Sequence, residues 1–286
     1  MVKIIADSTC DLSEELLKQY DITIIPLCVI MGNNTYLDGV EVKKEEIFAW
    51  ADSENRLPKT AAPDLENAVR ILEPFTKEEK DIIFFGISEK MSSTCNVIRL
   101  AGEYLKYDRL YIINSGNLST GIGLQVIKAA EMAGEGKSVE AITAYINNNM
   151  KALIRASFVV DTLTYLHMGG RCSSVAALLG NVLHLKPMIT VRAGKMEVGG
   201  KYRGSNKKAL LNYVQDIIPD LKKADPERVF ITHSGCEDET VDFVYREIEK
   251  LKVFRHIHIT FAGAVISSHC GPKTLGVLFT AKGQNQ

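Results

Sequence analysis

No C-x-x-C pair occurs in the 286 residues, and the six cysteines (Cys10, Cys28, Cys95, Cys172, Cys236, Cys270) lie far apart. That spacing argues against a zinc site and against a disulfide framework, and it fits reduced thiols in a cytoplasmic protein. No stretch reaches the roughly 18 uncharged apolar residues that a bilayer-spanning helix needs. The opening, Met1 to Asp7, reads as a strand carrying a charge rather than as a secretory leader. Neither sign of charge dominates: 34 Lys and Arg face 35 Asp and Glu, with no basic block, so nucleic acid is not an expected partner.

Enzyme signatures are missing as well. There is no G-x-S-x-G nucleophile elbow and no G-x-x-x-x-G-K-[ST] phosphate loop. Gly121-Ile122-Gly123 begins like a dinucleotide fingerprint, but Val126 stands where the third glycine belongs, and the glycines fall inside a predicted helix. The histidines show no H-E-x-x-H or H-x-x-x-H spacing. His256-x-His258 shares a strand face without a third ligand, so no metal is expected.

What remains is an ordinary folding composition, 46% hydrophobic and 24% charged, near the length at which one core stops growing. Strands are expected at 3–6, 81–87 and 110–114, with helices at 14–20, 43–51, 64–75, 93–106 and 118–133; 22–31 is a further apolar run broken by Pro26. Such alternation implies a mainly parallel sheet with helices on both faces. After residue 150 the pattern changes. It predicts a strand at 156–161, an apolar helix at 173–183, a hairpin through Arg192-Ala193-Gly194, helices at 207–221 and 237–251, and strands at 228–233, 257–265 and 275–281. We therefore expect an α/β protein of two domains: residues 1–155 around the parallel sheet, and 156–286 as α+β with a mixed sheet, with a ligand tunnel between them.

Four segments carry polar groups that a ligand could use. Gly86 to Thr94 joins a buried strand to a helix with hydroxyls at the turn, where unpaired N–H groups and the helix dipole favour an anion. On residue type alone, plain helix capping by Ser92 or Ser93 is the commoner reading, and it is the location at a strand's C-terminal end that favours a site. Thr60 precedes Pro63 and Asp64, which by themselves explain the next helix start. Arg171, after Gly169-Gly170, suits a carboxylate or phosphate, or a backbone carbonyl at the domain junction. His269 is expected in a turn between two apolar strands, able to donate to an anion in either charge state. Apolar stripes at 25–31 and 175–185, with Met188 and Ile189, are of a kind that forms core far more often than pocket wall, and sequence does not separate the two.

Taken in order, these segments resemble the DegV family of bacterial lipid-binding proteins. Asp7-Ser8-Thr9-Cys10-Asp11-Leu12-Ser13 is similar to that family's D-S-T-x-D-L-S start, Thr60-Ala61-Ala62-Pro63 to its T-S-Q-P loop, and Met91-Ser92-Ser93-Thr94 to its L-S-G-T turn. Gly169-Gly170-Arg171-Cys172-Ser173, Leu185-Lys186-Pro187-Met188 and His269-Cys270-Gly271-Pro272-Lys273-Thr274-Leu275-Gly276 follow its G-G-R-I-S, I-K-P-I and H-x-G-P-G-T-L-G runs. The resemblance implies a long-chain fatty acid buried between two domains, its carboxylate on Thr60 and Ser92, with Ser93, His269 and Arg171 in the surrounding polar network. It implies no cofactor and no catalytic residue. It further implies a fatty acid kinase as partner, which would phosphorylate the bound acid for phospholipid synthesis. Arg203 is a candidate for the partner or phosphate contact, and transient membrane contact for lipid exchange is compatible with this reading. Ala61 and Ala62 replace Ser and Gln, Asn114 replaces Asp, and Ser93 stands where glycine is usual. Ser93 would be strained if its φ had to be positive, and otherwise adds a third hydroxyl. Two rivals stay open: a serine-type acyl hydrolase using Ser92 or Ser93 with His269, and a non-lipid interaction module with a solid core.

Overall fold

The computed structural model describes residues 2–178 and 185–283. Its first sheet is wholly parallel, in the order β2 (Thr23–Ile25), β1 (Lys3–Asp7), β6 (Ile82–Gly86), β7 (Leu110–Asn114). Successive strand residues point to opposite faces, and β6 is buried on both. Ile83 and Phe85 enter one core with α5 (Thr120–Gly134). Ile82 and Phe84 enter another with α3 (Leu65–Lys77) and α4 (Thr94–Tyr104). That is why β6 reads as an unbroken apolar run rather than as an alternating one.

The second sheet is mixed, in the order β10 (Lys195–Arg203), β9 (Leu185–Arg192), β8 (Ile154–Val159), β13 (Leu275–Ala281), β11 (Ala224–His233), β12 (His256–Phe261); only β11 and β12 run parallel. Its outer face packs Val229, Ile231 and Val277 against α8 (Asn206–Leu221) and α9 (Asp238–Glu249). Its inner face supplies Ala156, Phe158, Phe230 and Leu278 to the core that holds α5. Helix α5 is therefore clasped by both sheets, which accounts for its burial over nearly its whole length. Gly123 has a packing duty there: a Cβ would come within 2.7 Å of the Leu12 side chain and 3.0 Å of the Cys10 carbonyl oxygen. Gly123 thus seats the helix against the 3-10 turn Ser8–Cys10, while a Cβ at Gly121 would meet the Asn117 side chain.

The other helices are α1 (Glu14–Gln19), α2 (Lys44–Glu54), α6 (Val139–Tyr145), α7 (Thr164–Gly169) and α10 (Ala264–Cys270). The expected hairpin is β9–β10, turning through Ala193 and Gly194 at φ +46° and +80°. Most expected elements recur with ends moved by one to four residues.

Three features differ from the sequence expectations. A small antiparallel sheet, β4 (Asn34–Leu37), β3 (Cys28–Met31), β5 (Lys59–Ala61), was not expected, because three- and four-residue strands leave little periodicity to read. Residues 257–265 are not one strand: β12 ends at Phe261 and α10 begins at Ala264, so His269 sits on a helix rather than in a turn. Two carboxylates remote in sequence cap that helix, a signal that local pattern cannot carry. At 173–183 the expected helix is a 3-10 turn over Ser173–Leu178, and residues 179–183 lie outside the described residues.

Candidate functional site

Strand β5 places Thr60 opposite Val29 of β3, giving this residue a structural position that its loop-like surroundings concealed. Beyond it Asp64 caps α3, accepting from the Asn67 amide at 2.7 Å. On the facing side, β6 ends at Gly86 and the chain turns into α4. Asp7 Oδ2 fixes that turn by accepting from the Ile87 amide (2.7 Å), and Ser92 Oγ accepts from the Thr94 amide at 3.3 Å while bonding Thr94 Oγ1 at 2.9 Å. Ser93 takes the cap position with φ −85°, so no left-handed strain arises where the family usually has glycine, and its hydroxyl is exposed.

Helix α10 brings the third side. Asp11 accepts from the Gly263 amide (2.9 Å) and from Ser119 Oγ (2.5 Å); Asp38 accepts from the Ala264 amide (2.8 Å) and from Ser8 Oγ (2.7 Å). Two buried carboxylates thus satisfy the first N–H groups of α10, which would otherwise have no partner. Burial raises the pKa of both, partly opposed by these same hydrogen bonds. Burial likewise lifts Asp7, to about 6.

At the far end of α10, His269 points back into the protein. Its Nε2 lies 2.7 Å from Thr60 Oγ1, and its buried Nδ1 has no hydrogen-bond partner. Burial, with the nearby Arg171 charge as the lesser cause, lowers its pKa from 6.5 to about 4, so the ring is neutral near pH 7. Arg171 reaches across the gap, donating from Nε to the Met91 carbonyl (3.4 Å) and from Nη1 to the Gly169 carbonyl (2.7 Å). It already serves a backbone junction, and Nη2 takes no part in either bond.

These groups meet around one cavity of about 260 Å³. Thr60, Ser92, Ser93, Arg171 and His269 line it, with apolar wall from Leu27, Ile87, Met91, Leu118, Met196 and Ile266. Five of the six polar residues singled out from the sequence therefore share a single site. Arg203, exposed at the end of β10, does not line it. Of the apolar stripes, Leu27 reaches this wall; Val175 and Ile189 are core, Met188 lines a different cleft, and residues 179–184 lie outside the described residues. Behind Leu118, Ile266 and Cys270 a void of about 20 Å³ extends toward Phe158 and Leu278. Asp11 and Asp38 escaped sequence reasoning as supports of this site, since their partners lie more than 220 residues away.

No hydrogen bond among the described residues joins His269 to Ser92 or Ser93; the hydroxyl that His269 meets is that of Thr60. No group of three or more His, Cys, Asp or Glu among them could hold a metal ion, and no described helix is long and apolar enough to cross a membrane.

The whole architecture has counterparts. A solved DegV family protein from Thermus thermophilus, described as fatty acid binding, superposes with a TM-score of 0.89 at 30% identity, covering 98% of this chain and 99% of its own. A stearic acid-binding protein from Eubacterium ventriosum gives a TM-score of 0.85 at 28% identity, with 99% of both chains covered. A DegV domain-containing protein of Caldanaerobacter subterraneus is 30% identical over 98% of this chain and 99% of its own. The model of a family described as uncharacterised DegV proteins matches residues 1–282, and with the fold and the motif order in agreement, this chain belongs to the DegV family.

Proposed function

We infer that this protein binds a long-chain fatty acid, burying the tail between its two sheets and holding the carboxylate with Thr60 and Ser92. One observation carries the reading: the Thr60–His269 hydrogen bond and Ser92 face a common cavity whose remaining wall is largely apolar. The fatty acids bound by the Thermus and Eubacterium proteins support it.

A carboxylate ligand fixes the proton arrangement at the Thr60–His269 pair. A neutral imidazole has one N–H. If Nε2 carries it, His269 donates to Thr60 Oγ1, and the threonine O–H is free to donate to a carboxylate. If Nε2 is bare, Thr60 donates to the ring and has nothing left for the ligand. Carboxylate binding therefore selects the Nε2–H form, and His269 acts by orienting Thr60. Ser92 supplies a second hydroxyl, Ser93 a third nearer solvent, and Arg171 a positive charge at the mouth.

The tail sets affinity. At about 0.8 kcal/mol per buried CH₂, a C16 chain gains roughly 10 kcal/mol before entropy costs, against about 1–3 kcal/mol for each hydroxyl bonded to a charged group. The head-group residues set orientation, so that the carboxylate lies at the polar end. This arrangement fits a carrier that hands the acid to a fatty acid kinase for acyl phosphate formation and phospholipid synthesis, in the cytoplasm, with Arg203 on the surface that meets the partner or its phosphate. Residues 1–155 and 156–286 are the two domains of this carrier.

Native mass spectrometry of protein purified from cells tests the first claim: an adduct of fatty-acid mass is expected, and a bare chain that takes up no added acid refutes it. Thr60→Ala/Ser92→Ala should keep the tail's share of the binding energy, lose about 1–3 kcal/mol of affinity for each hydroxyl removed, and slow transfer to a kinase by tenfold or more. Transfer at the wild-type rate would remove both residues from the head-group site.

A further inference from the structure

Across the Gly86–Thr94 turn from the fatty-acid cavity lies a second, larger cleft of about 850 Å³. It opens where β6 and β7 end, the edge at which open parallel sheets bind ligands. Ser88 and Lys90 of the turn, Asn114 and Asn117 after β7, and Arg155 of β8 line it together with the β9–β10 hairpin tip. Its volume lies within the range of small-molecule sites.

The charge of this cleft is distinctive. Lys90, Lys151, Arg155 and Arg192 line it, against one acid, Asp220. None of the four cations enters an ion pair among the described residues. Neutral groups hold three of them instead. Lys90 Nζ donates to the Ala193 carbonyl (2.8 Å), Lys151 Nζ to Asn147 Oδ1 (3.4 Å), and Arg155 Nη1 to the Ala152 carbonyl (2.9 Å). Glu89, the acid on the adjoining turn, is engaged by Arg99. Lys151 is half-buried, and desolvation lowers its pKa, opposed in lesser part by Cys95 and by the Glu89 charge.

A second, independent feature coincides with it. The chain between α6 and β8 runs through a π-helical turn, Ile146–Met150, and a 3-10 turn, Lys151–Leu153, rather than a regular helix. π-turns are uncommon and recur at functional sites. Here the two turns carry Asn147 and Lys151 into the cleft. The rest of its wall includes the apolar side chains Ile154, Met188, Val191, Ile217 and Phe279.

We propose that this cleft is a second ligand site, one that takes an organic phosphate of nucleotide size. The four cations meet the phosphate, and the two arginines among them suit its oxygens bidentately. The apolar wall takes the organic body. This site is independent of the fatty-acid reading, because Thr60, Ser92 and His269 take no part in it.

The test is isothermal titration of the full-length protein with AMP, ADP, UMP, a hexose phosphate and inorganic phosphate, at low salt and without other polyanions. At least one organic phosphate should bind one-to-one with a dissociation constant at or below about 1 mM, and more tightly than inorganic phosphate. Lys151→Gln and Arg192→Gln should each weaken that binding about tenfold or more, with fatty-acid uptake unchanged as evidence of correct folding. Should Lys151→Gln fail to fold, Arg192→Gln on the exposed hairpin carries the same comparison. The proposal is overturned if no organic phosphate binds, if inorganic phosphate binds equally well, or if the variants bind like wild type.

Discussion

Gly169 gives the sharpest handle on the head-group site. It ends α7, and a methyl group placed there would lie 2.4 Å from Nδ1 of His269, with Cε1 at 3.3 Å and Cγ at 3.4 Å. The ring's Nδ1 edge is buried and its Nε2 edge is held by Thr60 at 2.7 Å, so it cannot retreat without giving up that bond. Gly169→Ala should therefore break the Thr60–His269 pair although it touches neither residue's chemistry. Overpacking of this kind costs about 1–3 kcal/mol of stability. If Thr60 then loses its orientation toward the carboxylate, one charge-assisted hydrogen bond worth about 1.5–3 kcal/mol goes with it, which is roughly a 10- to 150-fold loss in fatty-acid affinity. Gly170→Ala supplies the control. Gly170 is left-handed, at φ +66°, and has open space where a Cβ would go, so alanine there adds about 1–2 kcal/mol of backbone strain and no collision. Displacement of a fluorescent fatty acid measures affinity, and urea unfolding measures stability. Both variants should lose stability, and only Gly169→Ala should lose affinity. Wild-type affinity in Gly169→Ala, or an equal loss in Gly170→Ala, would refute the idea that His269 acts by holding Thr60.

Three further expectations follow from the same geometry. Above pH 6.5 His269 is neutral in both folded and unfolded chains; below it only the unfolded chain takes up the proton until the folded pKa of about 4 is reached. That costs about 2 kcal/mol by pH 5, so His269→Asn should lose correspondingly less stability than wild type between pH 7 and 5 in urea titrations. Asp7 works in the opposite sense, since its pKa rises from 3.8 to about 6 and the folded state gains stability as pH falls through that range; Asp7→Asn should therefore steepen the acid loss, and parallel profiles would contradict both assignments. Asp38→Ala leaves the Ala264 amide and Ser8 hydroxyl without their acceptor and should cost about 2 kcal/mol or more, whereas Asp38→Asn keeps an acceptor and should cost less; equal melting shifts would show that capping of α10 is unimportant. Shortening the acid should weaken binding about fourfold per CH₂, and Ile266→Ala, by joining the main cavity to the void behind it, should move the optimum toward longer acids. An unchanged chain-length profile would mean that the tail runs elsewhere.

The parallel sheet was legible because β1, β6 and β7 are separated by helical segments of ordinary length and β6 is a bare apolar run. The polar end of the cavity was also legible, since Thr60, Ser92, Arg171 and His269 each stand in a short motif. What the sequence hid was long-range. A single apolar run, 22–31, divides at Pro26 between two sheets, and the pairing of β3 with β5 is what aims Thr60. Residues 257–265 carry strand-like side chains throughout, yet the chain turns to helix once Asp11 and Asp38 receive its amides. A local pattern cannot report a cap supplied from the other end of the molecule, nor can it separate the wall residue Leu27 from its buried neighbour Ile25.

That arrangement also bears on how the protein is made. The helix presenting His269 is anchored by residues translated 226 and 252 positions earlier, so a nascent chain on the ribosome holds Asp11 and Asp38 in readiness with nothing to cap. Contacts of such high sequence separation form late and slowly. Until α10 emerges, the first half carries buried-type carboxylates and an unfilled greasy face, which makes that interval the period of greatest exposure to aggregation.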